Sequence, residues 1–168
     1  MSLSSIAFLG NNLDQEAYQN GKSLLVDQDY KAAERAFKIT LDSMDEHDKE
    51  YTCVLSKYGL AQVLSDNANG LLLCRDAASN EVFEGEVFLD LACAEWHCNN
   101  RKRAVDAIRH GVKIDADHKQ LNSACAKLDC RKSPVFTFLP RGHKLNRFFG
   151  RLLRKQAEPI TVHTLLYK

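Results

Sequence analysis

The sequence predicts an all-α fold, a run of helix hairpins stacked on one another, and three observations predict it. The first is composition. The chain has 168 residues, 45% of them hydrophobic and 27% charged, but only three Pro and eight Gly. That length suits one domain. The apolar content is enough for a core, and the turn formers are too few for an all-β sandwich, a collagen or a low-complexity chain. The second observation is that apolar stretches at helical spacing alternate with the polar turns Asp27-Gln28-Asp29, Asp66-Asn67-Ala68-Asn69-Gly70 and Asn99-Asn100. The third is a recurrence of small residues. Gly21 to Gly59 is 38 residues and Gly59 to Ala92 is 33, so the two steps span 71, the same separation as Ala33 to Ala104. Two independent landmarks therefore hold one register across two units.

In chain order, residues 1–12 read as an N-terminal leader, with no basic residue and too short an apolar run for a secretory signal. No stretch of about 18 apolar residues is present, which excludes a transmembrane helix. Helices are predicted at about 13–27, 30–44, 49–65, 70–79, 84–98, 101–114 and 118–130, the last as a capping helix. A Gly inside a helix costs about 1 kcal/mol relative to Ala. A small residue at a crossing lets two helix backbones approach to about 8–10 Å, which offsets that cost. Gly21, Gly59 and Ala92 supply it on the first helix of each pair, Ala33 and Ala104 on the second.

These residues resemble the tetratricopeptide repeat (TPR) family, whose first helix carries a large residue, Leu-Gly and Tyr, and whose second carries Ala-x-x-x-Phe. Gly21, Ala33 and Phe37 match in the first unit, Tyr58-Gly59 in the second, and Phe88, Leu91, Ala92, Ala104 and Ile108 in the third. In the second unit Leu71 and Arg75 stand in the Ala and Phe slots, and the usual Pro after each second helix is missing. The resemblance covers about residues 13–130. It implies a right-handed α-solenoid of about three TPR-like hairpins plus the capping helix. Such an array has a concave face lined by the first helices. There the predicted partner-binding groove is Tyr18, Lys22 and Leu25, then Ser56, Leu60 and Val63, then Leu89, Cys93 and Trp96. Aromatic anchors commonly dominate binding of this kind. The competing reading is that these side chains are core, or are covered by the chain's own tail. Chaperone-binding TPRs hold terminal carboxylates with Lys, Asn and Arg. Here the corresponding positions hold Tyr18, Lys22, Lys57, Glu86 and Asp90; only Lys22 suits, and that subclass is rejected.

The net charge of +1 hides an asymmetry: residues 1–129 carry −7, whereas residues 130–157 carry eight Lys+Arg and no acid. The basic extension, 131–158, starts with Ser133–Pro140, which two prolines mark as extended. It continues as an amphipathic helix whose apolar stripe is Leu145, Phe148, Phe149, Leu152 and Leu153. Its basic residues are Arg141, Lys144, Arg147, Arg151, Arg154 and Lys155. This helix packs on the solenoid, docks in an acidic groove of its own or a partner chain, or binds a membrane surface or nucleic acid. The last two are the weaker readings, and a homodimer through the tail or the groove is a further one. The C-terminal stretch 159–168 reads as a short strand or a disordered tail.

Six cysteines without a C-x-x-C pair predict reduced thiols in a cytoplasmic protein, with neither disulfide framework nor metal site. Cys93, His97 and Cys98 are the one metal set worth weighing, and Cys93 with His97 the one nucleophile–base couple; neither has a supporting third group. No cofactor and no catalytic residue are predicted, and Arg101-Lys-Arg103 reads as a solvated helix start. The functional expectation is a non-catalytic adaptor or scaffold that binds a peptide or helix of another protein. The alternatives are a small TPR chaperone for an export-bound protein, and a peripheral membrane or nucleic-acid binder acting through 131–155.

Overall fold

The computed structural model describes residues 3–128, 144 and 160–167, the side chains of 3–14 and of Tyr167 excepted. Among the described residues the regular elements are all helices: α1 (Leu3–Val26), α2 (Tyr30–Asp42), α3 (Tyr51–Leu64), α4 (Gly70–Asn80), α5 (Gly85–His97), α6 (Arg101–Ile114), α7 (Lys119–Leu128) and α8 (Val162–Tyr167). The all-α expectation holds, and α2 to α7 fall within a few residues of their predicted bounds. Two stretches differ. Helix α1 starts at Leu3, so most of the stretch read as a leader is helical. The C-terminal stretch is neither strand nor tail, because Val162–Tyr167 is helical and docked.

Each helix through α7 packs on the next in the chain, and α3 also packs on α5. The turns that close α1, α3 and α5 are the same turn three times. Gln28, Asp66 and Asn99 each take a left-handed backbone, with φ of 63°, 68° and 64°. In each turn the following amide donates back to a carbonyl five residues earlier: Asp29 to Leu24 at 2.9 Å, Asn67 to Gln62 at 2.9 Å and Asn100 to Glu95 at 2.8 Å. This is the Schellman geometry, which uses the last carbonyls a helix cannot satisfy itself. The three left-handed residues are spaced like Gly21, Gly59 and Ala92, so backbone and side-chain landmarks share one register.

The small residues sit where helices touch. Gly21, Ala33, Phe37, Gly59, Ala92, Ala104 and Ile108 are all buried. A Cβ on Gly21 would lie 2.7 Å from the Phe37 ring, and one on Gly59 would lie 2.7 Å from the Gly70 carbonyl oxygen of α4. The α3–α4 hairpin departs from the predicted register. Gly70, Cys74 and Ala77 are the buried residues of its close approach, while Leu71 and Arg75, in the predicted Ala and Phe slots, are only half-buried. The reason is the turn: one residue separates the left-handed position from the first helical residue in the α1–α2 and α5–α6 hairpins, and three do so here.

Helix α8 closes the other end. Thr161 and Thr164 cap it reciprocally, the Thr161 amide donating to Thr164 Oγ1 at 2.9 Å and the Thr164 amide to Thr161 Oγ1 at 3.3 Å. Its Leu165 and Leu166 are buried with Leu121 and Ala124 of α7. Lys127 Nζ donates to the Thr164 carbonyl at 2.8 Å, and Gln120 Nε2 to that of Leu166 at 3.3 Å.

Candidate functional site

Helices α3 and α5 are buried on most of their faces because other helices cover them on several sides. That decides the fate of the predicted groove. Leu25, Ser56, Leu60, Val63, Leu89 and Cys93 are buried in the core rather than lining an open face. Trp96 is half-buried, and its indole Nε1 donates to the Ile160 carbonyl at 3.0 Å, so the chain's own C-terminal segment covers it. The Arg101 guanidinium lies 5.3 Å from the centre of the same ring. Tyr18 and Lys22 are the two groove residues that line open space.

The space they line is a cleft of about 770 Å³. Its walls are Gln15, Tyr18, Gln19 and Lys22 of α1, the end of α2 with the loop after it, Cys53 and Val54 of α3, and Glu84 and Glu86 at the start of α5. Tyr18 packs edge-on against Phe37 at 5.9 Å, and Lys22 Nζ sits 4.7 Å above the Tyr18 ring. Burial pushes the Tyr18 hydroxyl well above the usual phenol range, the nearby Lys57 only partly opposing it. Burial likewise pushes the Cys53 thiol up to about 12, with Glu84 and Glu81 adding to it.

Beneath the cleft lies a charge cluster that sequence reasoning treated only as failed clamp positions. Lys57 of α3 is buried, with its Nζ 2.8 Å from Asp90 Oδ1 and 2.7 Å from Glu86 Oε1, both of α5. Ser56 Oγ donates to Asp90 Oδ2 at 2.8 Å, which completes that fully buried carboxylate. Burial alone would lower the Lys57 pKa, but the two carboxylates outweigh it and hold the ammonium charged. Lys57 pulls Glu86 below the usual carboxylate range against its partial burial. The spacing could have signalled this: Glu86 and Asp90 are four apart and share one face of α5. Arg75 makes a second bridge between neighbours, with Nη2 2.8 Å from Glu95 Oε1.

Next to the cleft, Glu81 folds its carboxylate back on the turn between α4 and α5. Its Oε1 accepts from the amides of Val82, Phe83 and Glu84 at 2.9, 2.8 and 3.1 Å, and its Oε2 accepts from Thr52 Oγ1. This turn holds Val82 and Phe83 outward, 63% and 77% exposed.

The chemistry considered from sequence finds less. Cys93 is fully buried and its thiol raised by that burial, while His97 and Cys98 of the same stretch are exposed, so the three do not converge on a point. Among the described residues no cluster of three His, Cys, Asp or Glu could hold a metal ion, and no helix is long and apolar enough to cross a membrane. Lys144 is helical and exposed. Arg141, Arg147, Arg151, Arg154, Lys155 and the rest of the basic extension lie outside the described residues. No family model matches this chain, and no curated protein or solved structure matches it.

Proposed function

We propose that the chain is a non-catalytic protein-interaction module: a right-handed α-solenoid of TPR-like hairpins that holds a peptide or helix of a partner on its concave face. The thrice-repeated left-handed turn, in register with Gly21, Gly59 and Ala92, supports the repeat reading. The observation that carries the binding role is the open cleft beside Tyr18 and Lys22, set against the Trp96 end, where residues of the chain's own C-terminal segment already lie. One end of the face is filled by a short helical segment using a backbone carbonyl and apolar side chains. The other end has room for a segment of similar kind. The free thiols of Cys53, Cys74, Cys93, Cys98 and Cys125 suit a reducing, cytoplasmic compartment.

The test is site-specific photocrosslinking in cells. A benzophenone amino acid at Gln19, in the cleft wall, should yield discrete crosslinked proteins identifiable by mass spectrometry. The same group at exposed Arg103 on α6 should not. Equal crosslinking from both positions, or none from Gln19, overturns the reading.

A further inference from the structure

The cleft's charge and its apolar border identify the kind of partner it fits. Four carboxylates line it, Asp48, Glu50, Glu84 and Glu86, against two ammonium groups, Lys22 and Lys49. The buried floor does not correct the imbalance, because beyond Glu86 it adds only Lys57 and Asp90, whose charges offset each other. Glu50 and Glu84 are both exposed, and neither is in an ion pair among the described residues. An anionic partner such as nucleic acid or an acidic membrane would meet repulsion here.

The border is the second, independent observation. Phe83 and Val82 directly precede Glu84 in the chain, and both are mostly exposed. They do not sit on a floppy loop: three amides of this turn are tied to the Glu81 carboxylate, itself anchored by Thr52. An aromatic ring presented on a pre-ordered turn loses little conformational entropy on burial, which is what makes an anchor effective. An exposed apolar pair therefore directly adjoins the cleft's acidic wall at Glu84.

We propose that the cleft takes a cationic amphipathic segment of another protein, its Lys or Arg side chains against Glu50 and Glu84 and its apolar side chains against Val82 and Phe83. This rests on the cleft being the partner site and names the class of partner.

The experiment is fluorescence anisotropy on the full chain with two labelled probe peptides. One has leucines on one helical face and lysines on the other; its counterpart has glutamates in place of the lysines. The lysine peptide should bind, weaken as salt rises, and outbind the glutamate peptide at least tenfold. Glu50→Lys with Glu84→Lys should weaken it about tenfold, the sum of two rim charges reversed. Phe83→Ser, a surface change, should weaken it severalfold and serves if the charge reversal harms folding. Equal binding of both peptides, or no effect of either variant, overturns the proposal. So does a tenfold tightening when Arg147, Arg151 and Arg154 are replaced by Glu, which would make the chain's own basic segment the occupant. If neither peptide binds while Gln19 still crosslinks to a partner, the cationic inference fails and the cleft reading stands. If Gln19 crosslinks to nothing as well, both fail.

Discussion

Replacing Lys57 by Met removes the one cation held between Asp90 and Glu86 and leaves a chain of similar length in its place. Glu86 is part exposed and can turn to water, but the Asp90 carboxylate is fully buried and would keep only the Ser56 hydroxyl. Removing one member of a buried ion pair costs about 3–5 kcal/mol, because the other charge is stranded. Against a total stability of about 5–15 kcal/mol that is a large share. The variant should escape part of the cost by protonating Asp90. Its folded pKa then lies above its unfolded one, so the variant's stability falls as pH rises from the ordinary aspartate range through that raised value. Urea unfolding followed by circular dichroism at pH 5 and pH 7 reads both effects. Lys57→Met should be destabilised at pH 7 and measurably less so at pH 5. Lys57→Met combined with Asp90→Asn should recover about 2 kcal/mol of the loss at pH 7, the coupling a double-mutant cycle isolates. A single-variant cost below about 1 kcal/mol, or a double variant equal to the sum of the singles, would refute the claim that this cluster joins α3 to α5.

Three further outcomes follow from the geometry. Gly59→Ala gains about 1 kcal/mol of helix propensity, yet its Cβ would stand 2.7 Å from a backbone oxygen of α4 that cannot swing away. The expected net loss is about 1–2 kcal/mol, and a denaturation midpoint at or above that of the parent would contradict the close crossing. Ending the chain after Pro159 removes Leu165 and Leu166 from the core. The loss should be about 3–6 kcal/mol at about 1.5–3 kcal/mol per leucine, and an unchanged thermal midpoint would show that α8 is not part of the fold. Glu81→Ala frees three amides, so hydrogen exchange at Val82, Phe83 and Glu84 should accelerate. Burial opposes ionisation of Glu81, but Thr52 and the amides outweigh it and hold the carboxyl below its usual range. Its contribution is thus present above about pH 4.5 and lost as pH falls through the lowered value; protection of these amides, corrected for intrinsic exchange, that does not fall under acid would exclude that role.

Much of the fold was legible because it rests on local rules. Small residues at fixed spacing mark helix crossings, and polar residues at 27–29, 66–70 and 99–100 mark turns; both follow from short-range sterics. What was missed depended on contacts distant in sequence. The groove set lies one helical face away from the crossing residues, a reading that assumes a helix with one covered side. Helices α3 and α5 are covered on several sides, and so Leu60, Leu89 and Cys93 are core. The short C-terminal helix is too brief to show periodicity. Its one signal was the pair Thr161 and Thr164, a cap spacing that Ile160 and Val162 disguised as strand alternation. The α3–α4 shift came from two extra turn residues, which change where a helix begins without changing its pattern. Lys57 could be seen as a groove position but not as buried, since only the approach of Glu86 and Asp90 makes its burial tolerable.

The most direct test of the binding account is amide hydrogen exchange on the full chain, with and without the lysine-bearing amphipathic peptide. The account predicts new protection around Tyr18 and Lys22 of α1, at Cys53 and Val54, and across Phe83 to Glu86, with Trp96 and Ile160–Leu166 unchanged. Protection centred on Trp96 and the C-terminal helix, or on the outer face of α6, would contradict it.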